Sequence, residues 1–377
     1  MDFSLTEEQE LFRDYIRKAL DDAGQTKIAR EVINDNVDGL KEMLGTLAEL
    51  GCTGINIPEQ YAGLGLGTLD LVPTFEELGR SLLPGVFLET MALAVPLIRE
   101  YGTEDQKQAY LSSIASGERN ITFAVMEPDS DFSPEGIQCS LRKNGDAYVL
   151  DGVKTLVPDG ELADTFLVLV RTNDDEKEDV LSLVLLDKSP DVEIHRQDCF
   201  DETKHLTKVM FDRVEISEKQ ILGTMNQGWT LLQEGLLYLN AALSSIMVGG
   251  MESVIDMATE YAKVREQFGQ PIGRFQAIKH KIVDMKLDLE IARSLSHYAN
   301  WVLETDEEDR QATIFSARSF ATDAFINIAS HNIQIHGGIG FTEEIDCHLY
   351  LKRARYFEHY LGSTNYYNER VASALEW

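Results

Sequence analysis

The chain has 377 residues, 44% of them hydrophobic and 26% charged, with a formal net charge of −30. That is enough apolar material for a large buried core and for two or three domains. The negative charge excludes nucleic acid and anionic membranes as partners, because binding phosphate needs a basic footprint.

The N-terminal stretch MDFSLTEEQELFRDY carries neither a basic n-region nor an apolar h-region and does not read as a signal peptide. Thr6 with Gln9 three residues on forms a capping-box arrangement, and Leu11, Phe12, Tyr15, Ile16 and Ala19 are expected to form the apolar face of the helix that follows. Residues 56–70, NIPEQYAGLGLGTLD, carry Pro58 and three glycines and read as a structured loop. Helical patterning resumes at DLVPTFEELGRSLLPG and runs through DQKQAYLSSIASG. The first domain is expected over residues 1–118.

Over residues 119–222 the period changes to two. The stretches ITFAV, IQCSLRK, AYVLDGVKTLV, TFLVLVRT, VLSLVLLDK and HLTKVMFDRVEI are short and rich in β-formers. Asp151-Gly152 and the acidic run NDDEKED are expected as turns between them. These residues predict a small all-β domain, a barrel or sandwich. From residue 223 to 377 helical periodicity returns, and Ile278, Ile282, Met285, Leu289, Ala292, Ser296 and Ala299 fall at alternating steps of four and three, a bundle seam. The expected fold is α+β: an N-terminal helical domain, a middle β domain and a C-terminal four-helix bundle. No apolar run approaches the roughly 18–20 residues needed to span a bilayer.

Cys52, Cys139, Cys199 and Cys347 show no Cys-x-x-Cys and no paired spacing. Neither a disulfide framework nor a zinc site is expected, and the chain reads as a reduced, cytoplasmic protein. Local chemistry singles out two polar sites. In YAKVREQFGQPIGRFQAIKH, Arg265, Gln267 and Phe268 stand at a helix end, with Gly269 and Pro271 closing it; a guidinium there suits a pyrophosphate and an aromatic ring suits a planar ligand. In QIHGGIGFTEE, Gly337, Gly338 and Gly340 offer bare N–H groups before a helix start, an anion site, with Gln334 beside it. Each also reads as plain turn chemistry, a capped helix end in one case and a φ > 0 turn in the other. His336 reads as structural, with no partner at metal-ligand spacing.

In order and spacing these pieces resemble the acyl-CoA dehydrogenases. The resemblance runs from LTEEQELFRD through PEQYAGLGLG, the Glu127-Pro128 pair, GVKTLV, YAKVREQFGQPIGRFQAIKH and QIHGGIGFTEE to YLGSTN at Tyr360–Asn365, essentially the whole chain. It implies an FAD flavoprotein, usually a tetramer, that takes a proton from Cα and a hydride from Cβ of an acyl-CoA and passes electrons to an electron-transfer flavoprotein. By position it implies that Arg265, Gln267 and Phe268 meet the FAD of a neighbouring subunit, with Gln334, Gly337 and Gly338 completing that site. Ser363 and Asn365 would also touch FAD, and Phe123, Val125 and Met126 would lie along the flavin ring.

The chain departs from the family pattern at the chemistry itself. The residue before Gly362, a glutamate in many members, is Leu361, which cannot take a proton. The alternative base position, in a Leu-x-x-Glu-Arg pattern, reads Leu239 and Asn240, and a third position used by some relatives is Ile246. The flavin face is altered too, with Leu156 and Pro158 for the usual tryptophan and threonine, and MEPDSDFS for the usual Gly-Ser turn. Each lost neutral hydrogen bond removes about 0.5–1.5 kcal/mol. Intact contacts to a neighbour's FAD beside a depleted face of its own point to the non-basic subunit of an α2β2 assembly. The alternatives are a self-sufficient flavoenzyme using Glu234 or Glu358, a base-free desulfinase or monooxygenase reaction, and a non-catalytic acyl-CoA-binding protein. Ala241, Ala242, Ser244, Ser245, Gly249 and Gly250 either open a wide pocket for a bulky acyl group, such as a steroid side chain, or mark close helix packing, the favoured reading.

Overall fold

The computed structural model describes residues 5–172, 180–305, 307 and 309–376; the acidic run NDDEKED lies outside the described residues. Helices precede and follow a middle sheet, the order that the patterning predicts. The chain separates into two compact units. One takes residues up to Met43, Thr68–Pro84 and Asn240 onward; the other takes Leu44–Gly67 and Gly85–Leu239.

The first unit is helical. Its opening helix, Glu7–Asp22, starts with the expected capping box: Gln9 N–H donates to Thr6 Oγ1 at 3.2 Å, and Thr6 N–H to Gln9 Oε1 at 3.0 Å. The buried face differs from the expected one. Ile16 and Leu20 are buried, whereas Leu11 and Tyr15 are exposed, because Arg17 must reach Glu77 and that fixes the helix rotation. Glu77 accepts both Arg17 and Arg80, tying this helix to the helix Thr68–Arg80. The remaining helices of the unit include Gln276–Val302, Arg310–His336, Cys347–His359 and Thr364–Ala374. The expected seam on Gln276–Val302 is observed, with Met285, Leu289, Ala292, Ser296 and Ala299 all buried.

The helix Gly228–Val264 is long and apolar enough by composition to cross a bilayer, but 83% of that window is buried inside the protein, as in a core helix. Serines, glycines and an asparagine interrupt its apolar runs and hide the length of the element in the sequence. Its small residues serve close packing. A Cβ on Gly249 would fall 1.7 Å from Glu76 O, and a Cβ on Gly79 would fall 1.8 Å from Ile246 O. The two helices therefore cross backbone to backbone. Ser244 and Ser245 both hydrogen-bond Ser296 Oγ, at 2.9 and 2.8 Å, and Asn300 donates to Ser245. The stripe is filled by the protein itself.

In the second unit the strands are β1 (Ile121–Ala124), β2 (Ser140–Asn144), β3 (Ala147–Pro158), β4 (Thr165–Thr172), β5 (Leu181–Asp187), β6 (Val192–Gln197), β7 (Leu206–Ile216) and β8 (Ile221–Leu222). They form one mixed sheet in the order β6-β7-β3-β2-β4-β5-β8, with β1 parallel to β4. Its core draws Phe166, Val168, Val170, Val209 and Phe211 from neighbouring strands. β6 escaped the sequence reading because VEIHRQ alternates weakly and its outward residues are charged. Asp151-Gly152 is not a turn. It lies inside β3 at a register shift, where Gly152 packs against Cys139 too closely for any Cβ; the turn between β2 and β3 is at Gly145-Asp146.

The glycine crossing gives a stability prediction. Gly249→Ala should force the two helices apart, and overpacking of this kind costs roughly 1–3 kcal/mol. Urea unfolding of the variant should show a lower midpoint, and an unchanged midpoint would refute the crossing.

Candidate functional site

The first element of the site is a hairpin in the helical unit. After Val264 the chain does not simply end a helix with a glycine, as expected, but forms two short strands, Glu266–Gln267 and Gln270–Pro271, paired antiparallel. The two-residue loop between them is Phe268-Gly269, with φ of 53° and 77°. Positive φ at both positions is the type I′ pattern, which Asn-Gly satisfies and phenylalanine does not. Phe268 is 93% exposed, so burial repays nothing for that conformation. Arg265 is exposed, and its guanidinium has no partner among the described residues.

Gly337 is not at a helix start. It follows the helix Arg310–His336 with φ +66°, donating its N–H to Ile333 O, and a 3₁₀ turn, Gly337–Phe341, comes next. Glycine at this position ends a helix because it takes left-handed backbone without steric cost. The space above Gly337 and Gly338 is open, with no atom within 4 Å of an added Cβ. The Arg265 and Gly337 segments are joined through Tyr261, whose ring stacks on His336 at 4.1 Å and whose hydroxyl donates to His336 O. His336 Nδ1 also contacts Asn332 O at 2.9 Å, and burial pushes its pKa down. It is structural. Gln334 is exposed on the last turn of the same helix.

The second element surrounds Leu361, also in the helical unit. Leu361 is buried and its φ is +56°. Its carbonyl accepts the Tyr367 hydroxyl at 2.9 Å, and the next residue but one, Ser363, caps the helix Thr364–Ala374 by accepting from Tyr366 N–H. Just upstream, the fully buried Arg318 donates to the carbonyls of Phe357 and Tyr360 and lies 5.1 Å from the Tyr367 ring centre. Burial lowers the Arg318 pKa and raises that of Tyr367. This cation was not singled out from sequence, although an arginine among Ile314, Phe315, Ala317 and Ala321 is a signal that a buried partner set exists. Asn365 is exposed. The other base positions are closed: Leu239 is 1% and Ile246 8% exposed. Glu358, an alternative base, is engaged with Arg355 at 2.8 Å within its own helix.

A separate buried polar cluster lies in the sheet unit. Lys154 is fully buried, with Nζ 2.7 Å from Glu127 Oε1, and it donates to Val125 O at 3.0 Å. Glu127 also accepts from Gln138 N–H at 2.8 Å and Cys139 N–H at 3.0 Å. Burial lowers the Lys154 pKa and Glu127 opposes that shift; burial pushes the Cys139 thiol up to about 12. Of the residues expected along the flavin, Phe123 and Val125 are buried and Met126 is half-buried. The Val125 carbonyl is already taken by Lys154. Leu156 stands out from the strand at 46% exposure with φ +53°.

These groups suit a dinucleotide flavin. A free guanidinium matches a pyrophosphate, an exposed ring matches a planar ligand, and the open Gly337-Gly338 backbone admits close approach. Models of the acyl-CoA dehydrogenase N-terminal, middle and C-terminal domains match residues 6–118, 122–214 and 226–376. The chain belongs to the acyl-CoA dehydrogenase family. Members are FAD-dependent, and its enzymes are oxidoreductases acting on CH–CH bonds. It is 28% identical to a 3-(aryl)acrylate reductase of Clostridium sporogenes over 98% of this chain and 99% of that one. Among solved structures it is similar to butyryl-CoA dehydrogenase of Megasphaera elsdenii (26% identity, TM-score 0.90, 100% of both chains covered). It is also similar to a chain from the electron transferring flavoprotein study of Acidaminococcus fermentans (27% identity, TM-score 0.93, 100% and 99% covered).

Two substitutions separate binding from folding here. Arg265→Ala should leave the melting temperature unchanged and sharply lower FAD retention, since a charge-assisted pair contributes roughly 1.5–3 kcal/mol. Phe268→Asn should stabilise the apo-protein by about 1 kcal/mol through relief of left-handed strain, while reducing FAD retention. Full FAD occupancy after gel filtration of both variants would remove these residues from the site.

Proposed function

We propose that this chain takes part in α,β-dehydrogenation of an acyl-CoA thioester as the subunit of an α2β2 assembly that lacks the base, completing the FAD site of a homologous, glutamate-bearing partner. The observation that carries the reading is Leu361. The backbone around it is tied down by Arg318, Tyr367 and Ser363, while the side chain is aliphatic. In this reaction the Cα proton goes to a carboxylate and FAD, when bound, takes the hydride from Cβ. Here Leu361, Leu239 and Ile246 are all unable to accept the proton. The Arg265–Phe268 hairpin and the Gly337 turn are exposed and preformed, which supports their reaching the FAD of a neighbouring subunit.

Similarity to the Acidaminococcus fermentans electron transferring flavoprotein study supports an electron-transfer flavoprotein as acceptor. The name of the Clostridium sporogenes relative supports the same CH–CH chemistry run in the reducing direction. Free, mostly buried thiols are in keeping with a cytoplasmic location.

The test is turnover with an artificial electron acceptor. The chain purified alone should be slower than its complex with a glutamate-bearing partner by about 10²–10⁴-fold, the usual contribution of a general base. Equal turnover with and without the partner would defeat the reading. So would a clean monomer by light scattering under both conditions.

A further inference from the structure

We propose that the Tyr261–His336 stack is a proton-operated latch between the Arg265 hairpin and the Gly337 turn, closed while the imidazole is neutral and opened by its protonation. Flavin retention then falls as the solution becomes acid. The inference rests on the reading that these two segments hold FAD. Tyr261 and His336 act in it as positioning residues.

Their places in the chain set the latch up. Tyr261 lies about one helical turn before Arg265, and His336 directly precedes Gly337. Each ring therefore stands at the root of one segment. The ring centres are 4.1 Å apart and 25° from parallel, and the Tyr261 hydroxyl donates to His336 O at 3.3 Å. Arg265 N–H donates to Tyr261 O at 2.9 Å, and Ile272 N–H, beyond the hairpin, donates back to Arg265 O at 2.7 Å. On the other side Gly337 N–H is taken by Ile333 O. A shift of either ring is thus passed to the segment that follows it.

The stack suits a neutral imidazole. His336 is 7% exposed, and Nδ1 reaches Asn332 O at 2.9 Å, which places a proton on Nδ1 and leaves Nε2 an acceptor. That bond holds the ring against the preceding turn of its own helix, facing the core. The floor beneath offers no counter-ion. Asn332 Nδ2 donates to Met257 Sδ at 3.4 Å and to Cys347 Sγ at 3.3 Å, and burial pushes that thiol up to about 12. The ionisable groups of the surrounding elements are engaged elsewhere or face solvent. Glu260 pairs with Lys263, Lys281 meets His331 at 3.4 Å, Asp346 holds Thr26 and Arg30, and Glu343 and Glu344 are exposed. Burial lowers the His336 pKa, opposed only by the bond to Asn332 O, and no charged side chain enters.

A proton on Nε2 therefore creates a charge with no partner in the stack, and the ring leaves for water. The latch contributes fully above the ordinary histidine value of 6.5 and is lost as pH falls through the lowered value of the closed state. One proton taken up on opening weakens FAD by about tenfold between pH 7.5 and 5.5.

The test titrates the flavin-stripped assembly with FAD at these two pH values and constant ionic strength, with melting curves to show that each variant is folded. Wild type should bind about tenfold more weakly at the lower pH. His336→Phe keeps a ring on Tyr261 and takes no proton, so its affinity should be the same at both. His331→Gln removes the neighbouring histidine and should keep the wild-type profile. If His336→Phe does not fold, Tyr261→Leu takes its place. With the latch open throughout, it should bind at the higher pH as weakly as wild type at the lower, and change less than about twofold between them. A wild-type affinity that is flat or rises on acidification would overturn the latch. So would a tenfold loss that persists in the folded first or second variant, or that vanishes in His331→Gln. Failure of the wild-type assembly to take up FAD at the higher pH would instead overturn the cofactor reading beneath it.

Discussion

A lysine with no solvent exposure must have its charge met inside the protein, and Lys154 sets that requirement at the centre of the sheet unit. Removing one member of a buried ion pair costs about 3–5 kcal/mol, because it leaves a charge desolvated and unpaired. Glu127 meets it, and in doing so gathers the N–H groups of Gln138 and Cys139, while Lys154 takes the Val125 carbonyl. One carboxylate and one ammonium thus fix three separate stretches of chain relative to one another. The loop from Glu127 to Cys139 begins on this carboxylate and ends on the N–H groups that donate to it.

The same logic recurs wherever the family resemblance assigns chemistry. Phe268, Leu361 and Leu156 are all left-handed residues with side chains; Phe268 stands exposed in a hairpin loop, whereas the backbone at Leu361 and Leu156 is held by hydrogen bonds. At Leu361 the contacts are a buried guanidinium, a buried phenol and a helix cap. The position holds a leucine, which cannot accept a proton, on backbone fixed by these contacts. A neutral leucine removes the proton acceptor at a cost to catalysis and none to folding, whereas relaxing the turn would disturb Arg318 and Tyr367.

The α, β, α order was legible from periodicity, and the bundle seam at Met285–Ala299 from its spacing, because buried apolar positions repeat at fixed steps. The first helix was read with its face rotated, since Leu11 and Tyr15 have the right spacing and hydrophobicity but the Arg17–Glu77 pair, between residues 60 apart, decides the rotation. The hairpin at Phe268 was hidden because a phenylalanine is the wrong residue for its turn. Lys154, Arg318 and Lys204 were passed over for a related reason: a charged residue in sequence reads as surface, and only the fold shows that its partner is buried with it. The Gly337 turn was found, but its direction was not, since glycine opens and closes helices alike.

The central claim is that this chain retains the family's architecture without its proton acceptor. The most direct measurement is exchange of the Cα hydrogens of an acyl-CoA with deuterated solvent, followed by mass spectrometry in the presence of the oxidised, FAD-loaded chain alone. The account predicts exchange no faster than in the buffer without protein, and rapid exchange once a glutamate-bearing partner is added. Rapid Cα exchange by the chain alone would contradict it, by showing that a base works in a site where Leu361, Leu239 and Ile246 supply none.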